Sequence, residues 1–330
     1  MPSSPLVSVV TPVYNGELFL RECIESVLSQ TYSNWEYIIL NNCSTDATLT
    51  IAQEYAARDQ RISIYSNDLL LDVISNHNKA FRLISSTSNY CKVVSADDWL
   101  YPECIARMVD LAETHRTVGI VGSYQLSGGS ERWYVRTDGL PFHSAVVPGR
   151  EICRAHFLSS ISVFGNPTSN LYRSDLIRKS DAFYPNSSAE ADVSACFDCL
   201  RETDFGFVHQ VLSYERLHEV RMTTTSTSLN AYLSSKLSDL LRYGPFYLTA
   251  EELQGCLKRL LKQYYHFLAI AAVNFRDQRF WNYHRRRLRE LGYPLDIAKL
   301  AMAITLKILD LLLNPKSTVE RVLRRVRERA

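Results

Sequence analysis

Strand-like and helix-like segments alternate through the first hundred residues, and this order restricts the possible folds more than any other feature of the sequence. Apolar and β-branched runs predict strands over Leu6–Thr11, Trp35–Leu40, Arg61–Tyr65 and Lys92–Ser95. Helical patterns fill the intervals, around residues 20–28, 47–57 and 73–85. This βαβαβ order predicts an α/β fold with a mostly parallel sheet and helices on both faces. Right-handed crossovers would then bring the strand ends to one edge of that sheet.

Polar turns follow three of these strands and would share that edge. Pro12–Asn15 follow the first strand, Asn41–Asp46 follow the second, and the adjacent carboxylates Asp97 and Asp98 end the fourth. Ligands of open α/β sheets bind beyond the carboxyl ends of the strands. A carboxylate pair there is costly without a positive partner, and hard oxygen ligands suit Mg²⁺ or Mn²⁺. The pair therefore has two interpretations, a metal site or a strand-to-helix turn with a capping Asp.

Three segments carry a resemblance to a known family. VSVVTPVYNG, SVLSQTYSNWEYIILNNCSTDAT and VVSADDW, at their observed spacing, are similar to segments of family 2 inverting glycosyltransferases of the GT-A fold. The resemblance covers residues 5–220. It implies a nucleotide-binding GT-A domain, which we place at 1–225, followed by an α-helical C-terminal region at 226–330. It also implies a nucleotide-sugar donor and a single displacement that inverts the anomeric centre.

The resemblance also implies roles for the turn residues. Residues corresponding to the turn that packs against the nucleotide base are Pro12, Val13, Tyr14 and Asn15. The family's second turn, Asp-Asp-x-Ser-x-Asp, begins here with Asn41 and Asn42, which lack the charge but can still accept a hydrogen bond from a uracil N–H. Lys79, on the third predicted helix, is a further expected contact to the nucleotide sugar.

The metal motif of the family departs from its usual form. The D-x-D signature corresponds here to Ser95-Ala96-Asp97-Asp98, which lacks the first Asp. If the family's roles are applied to this chain, Asp97 contacts the ribose and Asp98 coordinates Mn²⁺ or Mg²⁺, although the two roles could be exchanged or shared.

The second half of the chain supplies candidates for the base and for phosphate contacts. The family places its catalytic carboxylate at the head of a helix, where Asp192 matches best and Glu190 is the alternative. Asp192 would accept the proton of an acceptor hydroxyl, or would simply cap the helix. His218 and Arg221 are candidate contacts to the diphosphate or metal. Residues 165–170, GNPTSN, form a turn that lies near the acceptor in similar enzymes or is an ordinary turn.

Charge is distributed unevenly along the chain. Residues 256–330 contain 17 Lys/Arg and 6 Asp/Glu, a balance of +11, although the whole chain carries only +2. We expect the amphipathic segments Leu295–Leu313 and Val319–Arg329 to bind the inner face of a membrane near a lipid-linked acceptor. Alternatively, 295–313 packs on the catalytic domain or pairs two subunits. Nucleic-acid binding is not expected, because no recognition motif accompanies the charge.

The eight scattered cysteines indicate reduced thiols in a cytoplasmic protein. A lone C-x-x-C, Cys196 and Cys199, lies inside a helical pattern, where a zinc or redox role is the less favoured interpretation.

These features together predict an enzyme. It would transfer a sugar from a UDP-sugar to an acceptor hydroxyl on a glycan or a lipid-linked molecule, in glycan or polysaccharide biosynthesis. One rival is a non-catalytic relative that only binds sugar nucleotides. Another is a nucleotidyltransferase, which would need a basic, glycine-rich loop that Pro12–Gly16 does not provide.

Overall fold

A single mixed sheet organises the first part of the chain in the computed structural model, which describes residues 4–129, 132–159, 161–185, 190–217 and 229–314. Contacts divide the chain into two compact units, Met1–Arg221 and Met222–Ala330. The strands are β1 (Val7–Val13), β2 (Trp35–Asn41), β3 (Ile62–Ser66), β4 (Tyr90–Val93), β5 (Trp99–Leu100), β6 (Val118–Gly128), β7 (Trp133–Val135), β8 (Val146–Val147), β9 (Leu171–Arg173) and β10 (Asp204–Arg216).

Seven helices of the first unit lie within the described residues. They are α1 (Leu20–Leu28), α2 (Thr48–Ala56), α3 (Val73–Phe81), α4 (Cys104–Thr114), α5 (Gly149–Ser159), α6 (Ser174–Arg178) and α7 (Ala191–Cys199). The three helices predicted in the first hundred residues are α1, α2 and α3, and α3 ends four residues earlier than expected. α4 begins two residues after Pro102, whose carbonyl accepts a hydrogen bond from Thr31 N at 2.9 Å.

The strand order explains where a ligand site can form. The sheet runs β3-β2-β1-β4-β9-β6-β10-β5, with β7 paired to β6 and β8 to β10. β3, β2, β1 and β4 are mutually parallel, whereas β9 is antiparallel to both β4 and β6. All seven residues of β1 are buried, as expected for a central strand covered on both faces. The carboxyl ends of β1, β2 and β4 therefore meet at one edge, as the sequence predicted.

The second unit is helical in its described part. It contains α8 (Tyr232–Tyr247), α9 (Ala250–Val273), α10 (Gln278–Glu290) and α11 (Ile297–Leu313). A capping box at Thr249 opens α9, with Glu252 N donating to the Thr249 hydroxyl and Thr249 N to the Glu252 carboxylate. Val319–Arg329 lies outside the described residues. None of the helices in the described residues has the length and apolar content needed to cross a bilayer.

A buried histidine makes the stability of the helical unit depend on pH. His284 is fully buried, Tyr264 Oη lies 2.7 Å from its Nδ1, and its Nε2 lies 2.9 Å from the Leu229 carbonyl. Burial lowers the pKa of His284 to about 4, so below pH 6.5 the unfolded chain binds the proton more readily than the folded chain. We expect unfolding to become easier by about 3 kcal/mol between pH 7 and pH 4. Urea denaturation should show this loss, and His284→Gln should remove most of it.

Candidate functional site

The turns after β1 and β2 are joined by direct hydrogen bonds. Asn42 N donates to the Val13 carbonyl at 2.8 Å, and Asn15 N donates to Ser44 Oγ at 3.0 Å. Asn15 Oδ1 accepts from Thr45 N at 2.8 Å, and Asn15 itself has a φ of 50°. Pro12 and Val13 are buried, Tyr14 is half-buried and Asn15 is exposed. The structure therefore brings the two predicted nucleotide turns together, with Tyr14 and Asn15 as the accessible side chains of the first.

The two asparagines that end β2 are buried and hold neighbouring segments of the edge. Asn42 Oδ1 accepts from Asn67 Nδ2 at 2.7 Å and from Leu71 N at 2.9 Å, and Asn42 Nδ2 donates to the Leu71 carbonyl. Asn41 Oδ1 accepts from Ser44 N at 3.1 Å. Asn67 also donates to Asn76 Oδ1, but its own Oδ1 is buried and receives no donor from the described residues. An acceptor without a donor thus lies beside the turn that the sequence assigned to the base.

The carboxylates that follow β4 have different surroundings. Asp97 is half-buried, whereas Asp98 is 1% exposed. Asp98 Oδ2 accepts from Thr168 Oγ1 at 2.7 Å and from Asn166 Nδ2 at 3.3 Å, and Oδ1 accepts from Arg216 N at 3.1 Å. Burial, reinforced by the charge of Asp97, raises the pKa of Asp98 to about 7. We call residues 95–98 the acidic turn; Asp98 is its inner carboxylate and Asp97 its outer one.

Residues 166–170, hereafter the NPTSN loop, hold the acidic turn from one side. Thr168 Oγ1 accepts from Ser95 N at 3.1 Å besides donating to Asp98. Asn166 caps the 3₁₀ turn Pro167–Ser169, accepting from Ser169 N while Ser169 Oγ accepts from Asn166 N. Gln125 of β6 also donates to Asn166 Oδ1 at 2.8 Å. The predicted GNPTSN turn therefore contacts the acidic turn directly.

A second set of contacts comes from the end of β10. Arg216 Nε donates to the Asp97 carbonyl at 3.3 Å, and the same guanidinium pairs with Glu22 and stacks over Phe19 and Trp99. The neighbouring Glu215 is buried. These contacts fix the backbone of the acidic turn through a residue more than a hundred positions away in the sequence.

Glu215 connects the acidic turn electrostatically with the candidate base. Its carboxylate accepts from Ser127 Oγ at 2.6 Å and pairs with Arg136 at 2.5 Å. The negative charge of Glu215 acts on both Asp98 and Asp192 and favours their protonated forms. The Arg136 guanidinium opposes this effect at Asp192.

Asp192 lies in the first turn of α7, where the sequence placed it. Its side chain is half-buried, and burial raises the pKa of Asp192 above its ordinary value. The backbone amide of Val193 acts in the opposite direction by stabilising the carboxylate. A carboxylate with a raised pKa accepts a proton more readily than an ordinary one, which suits a general base. Glu190 is the N-cap residue of α7 and makes no side-chain cap hydrogen bond.

The positions of the remaining predicted residues give less information about their roles. Lys79 is half-buried in the last turn of α3. His218 and Arg221 lie outside the described residues. Cys196 and Cys199 are buried in α7, and all eight cysteines are free thiols.

The acidic turn has the chemistry expected of a metal site that a substrate completes. Within the described ranges, no group of three or more His, Cys, Asp or Glu residues could hold a metal ion. Nucleotide enzymes commonly bind Mg²⁺ through one or two carboxylates together with substrate phosphates. Two adjacent carboxylates, one buried with a raised pKa and one accessible, fit such a site, because a cation would relieve their repulsion.

Comparison with known proteins now decides the family. The profile of Glycosyl transferase family 2 matches residues 8–179, which is more than half of the chain. The chain belongs to glycosyl transferase family 2. The matched range contains both predicted nucleotide turns, the acidic turn and the NPTSN loop, but it ends before Asp192 and β10. The family resemblance predicted from the sequence is confirmed.

This family 2 chain resembles a curated sequence relative and two solved structures, and the structures agree with its fold. EpsE of Bacillus subtilis is 39% identical over 127 residues, which are 38% of this chain and 45% of EpsE, so the chain spans less than half of that relative. S. aureus TarS 1-349 in complex with UDP-GlcNAc superposes with a TM-score of 0.64 at 17% identity, covering 87% of this chain and 80% of the TarS 1-349 chain. The mannosyltransferase PcManGT from Pyrobaculum calidifontis, in complex with GDP-Man and Mn²⁺, gives 0.55 at 13% identity, covering 93% and 88%. The predicted GT-A type α/β fold with its helical C-terminal region is therefore confirmed.

Proposed function

We propose that this family 2 chain transfers a sugar from a nucleotide-sugar donor, a UDP-sugar in our assignment, to an acceptor hydroxyl with inversion at the anomeric carbon. The proposal rests on the observation that the candidate groups meet at one edge of the sheet. Both nucleotide turns and the acidic turn lie there, and Glu215 connects the acidic turn electrostatically with Asp192. A family 2 chain with these groups has the parts that a single displacement requires.

The accessible carboxylate is the better metal ligand of the pair. Asp98 is 1% exposed and its oxygens already accept three hydrogen bonds from the protein, so a cation would reach it less readily than the half-buried Asp97. We therefore assign direct coordination of Mn²⁺ or Mg²⁺ to Asp97 and support of the turn to Asp98, the exchange of roles that the sequence left open. When bound, the cation would neutralise charge on the departing diphosphate.

Asp192 would perform the proton chemistry. Its carboxylate would take the proton from the acceptor hydroxyl as that oxygen forms a bond to the sugar C1 and the bond from C1 to the diphosphate breaks. The backbone amides at the start of α7, with the Arg136 guanidinium, would favour the ionised form of Asp192 and partly offset the effects of burial and of Glu215. A sugar acceptor and water would both be activated in this way, so slow donor hydrolysis is an expected side reaction.

Asn67 is the residue that we assign to base recognition in addition to the two turns. Its buried Oδ1 receives no donor from the described residues, and an unmade hydrogen bond of this kind is costly. The ring N–H of uracil or guanine and the exocyclic amino group of cytosine can all donate to such an oxygen, so this acceptor by itself does not select the base. A thermal-shift screen of UDP-, GDP- and CDP-sugars with Mn²⁺ tests the donor: stabilisation by UDP-sugars is expected, and stabilisation by none would contradict the proposal.

The last described helix is a candidate membrane contact for a lipid-linked acceptor. α11 turns Lys307, which is 9% exposed, inward to pair with Asp310 at 2.7 Å. Its exposed apolar side chains are Ile297, Met302, Leu306, Ile308, Leu309, Leu312 and Leu313. An amphipathic helix with several leucines exposed and Lys307 turned inward favours an apolar surface. The +11 balance of residues 256–330 favours an anionic bilayer over a second copy of the same positive charge.

Liposome flotation tests this contact. We expect the full chain to float with anionic vesicles and less with neutral ones, and Leu309→Glu with Leu312→Glu to lower recovery by about tenfold or more. The matched control is Leu69→Glu with Leu70→Glu, which adds the same charge at exposed leucines of the first unit. Equal recovery of both double variants would contradict the contact. A change of oligomeric state in the α11 variant alone would assign the face to subunit pairing instead.

A further inference from the structure

A lysine is buried beneath the acidic turn without a carboxylate partner among the contacts of the described residues. Lys92 lies on β4, five residues before Asp97, and its side chain is 0% exposed. Its Nζ donates to the Thr168 carbonyl at 2.6 Å and to the Asn170 carbonyl at 3.2 Å, and it contacts Met108 Sδ at 3.7 Å. Fully buried lysines are rare unless they are paired, because removing an ammonium from water is costly.

The two carbonyls that receive these hydrogen bonds belong to the NPTSN loop. Thr168 carries both connections, since its carbonyl accepts from Lys92 while its hydroxyl donates to Asp98 and accepts from Ser95 N. Thr168 is therefore the single residue through which Lys92 is connected to both ends of the acidic turn, Ser95 and Asp98. Main-chain hydrogen bonds of β4 to β9 do not reach the 3₁₀ turn, because their register ends at Leu171. The lysine continues the connection between these two strands beyond the point where their ladder stops.

We propose that Lys92 is a positioning residue that holds the NPTSN loop against the acidic turn and so fixes the carboxylates for the metal and diphosphate. The inference rests on the proposed function, but it assigns a role to a residue outside the nucleotide contacts. Burial lowers the pKa of Lys92, and the role requires only its N–H donors. Supporting groups around metal ligands commonly change metal affinity by about 10- to 100-fold when removed.

Lys92→Met tests the role, because methionine matches the length of the side chain and removes the donors beside Met108. We expect titration calorimetry to show about 10- to 100-fold weaker binding of UDP in the presence of Mn²⁺. We also expect faster amide hydrogen exchange across residues 166–170. Cys91→Ala is the matched control, because Cys91 is equally buried on the same strand but points to the opposite face of the sheet.

The outcomes separate this inference from the function on which it rests. Normal exchange at 166–170 and normal Mn²⁺-dependent UDP binding in folded Lys92→Met would overturn the positioning role. The same weakening in Cys91→Ala would also overturn it, because the effect would then be one of general stability. Absence of UDP binding in the wild type would instead overturn the proposed function, while the exchange measurement would still decide whether Lys92 holds the loop.

Discussion

Asp192→Asn is expected to lower the rate of sugar transfer by about 10²- to 10⁴-fold, the usual contribution of a general base. Asparagine keeps the size of the side chain but cannot take a proton from the acceptor hydroxyl. Because Asp192, in the first turn of α7, would act on the acceptor hydroxyl and not on the nucleotide, binding of UDP should remain unchanged. Transfer kinetics with saturating donor and a UDP titration of the same protein provide the two measurements.

Glu190→Gln is the control for this variant, because Glu190 was the alternative base and immediately precedes the same helix. A normal rate is expected for it. The wild-type rate should also fall as the pH is lowered, with a midpoint above the ordinary aspartate value, since burial raises the pKa of Asp192 and only the ionised form acts as base. Loss of activity in Glu190→Gln with normal activity in Asp192→Asn would reverse the assignment.

Asp97→Asn is expected to remove most of the metal-dependent activity, by about 10³-fold if the cation contributes several kcal/mol of charge stabilisation. The fold should be maintained, because Asp97 is only half-buried. The concentration of Mn²⁺ needed for half-maximal UDP binding should rise in the same variant. Calorimetric titration of UDP at several Mn²⁺ concentrations provides the measurement.

Asp98→Asn is the companion variant and should behave differently. Asp98 is buried and accepts three hydrogen bonds, and an amide in its place would direct N–H groups at Thr168, Asn166 or Arg216. We expect a loss of stability of about 1–3 kcal/mol, visible as a lower melting temperature. If Asp98→Asn kept its stability and lost metal binding while Asp97→Asn retained it, the assignment of the two carboxylates would have to be exchanged.

The part of the site that the sequence predicted is the part carried by local patterns. β-Branched runs such as Trp35–Leu40 indicated the strands, and parallel order indicated that their turns would meet. The acidic turn stood out because two carboxylates ended a buried strand. The strands, their shared edge and the carboxylate pair need only neighbouring residues or the order of the elements. Asp192 was assigned through the family resemblance, which places the catalytic carboxylate at the head of a helix, and its role stays a prediction.

The contacts that the sequence could not predict join residues far apart in the chain. Thr168 and Asn166 reach Asp98 over about seventy positions, and Arg216 reaches it from β10. Nothing in the residues around 166 indicates which carboxylate they bind. The contact depends on the three-residue β9, which lies antiparallel between β4 and β6 and brings the NPTSN loop to the acidic turn. Lys92 could have been singled out from the sequence, since a charged residue inside a buried strand is uncommon and needs a hydrogen-bonding or charged partner.

Release of UDP from UDP-sugars in the presence of Mn²⁺ tests the central claim most directly. The wild-type chain is expected to release UDP from at least one UDP-sugar, slowly with water and faster with a suitable acceptor, and to lose this activity on chelation of the metal. Asp192→Asn should bind the same donor without releasing UDP. Binding of UDP-sugars without any release by the wild type, or equal release by wild type and Asp192→Asn, would contradict the account.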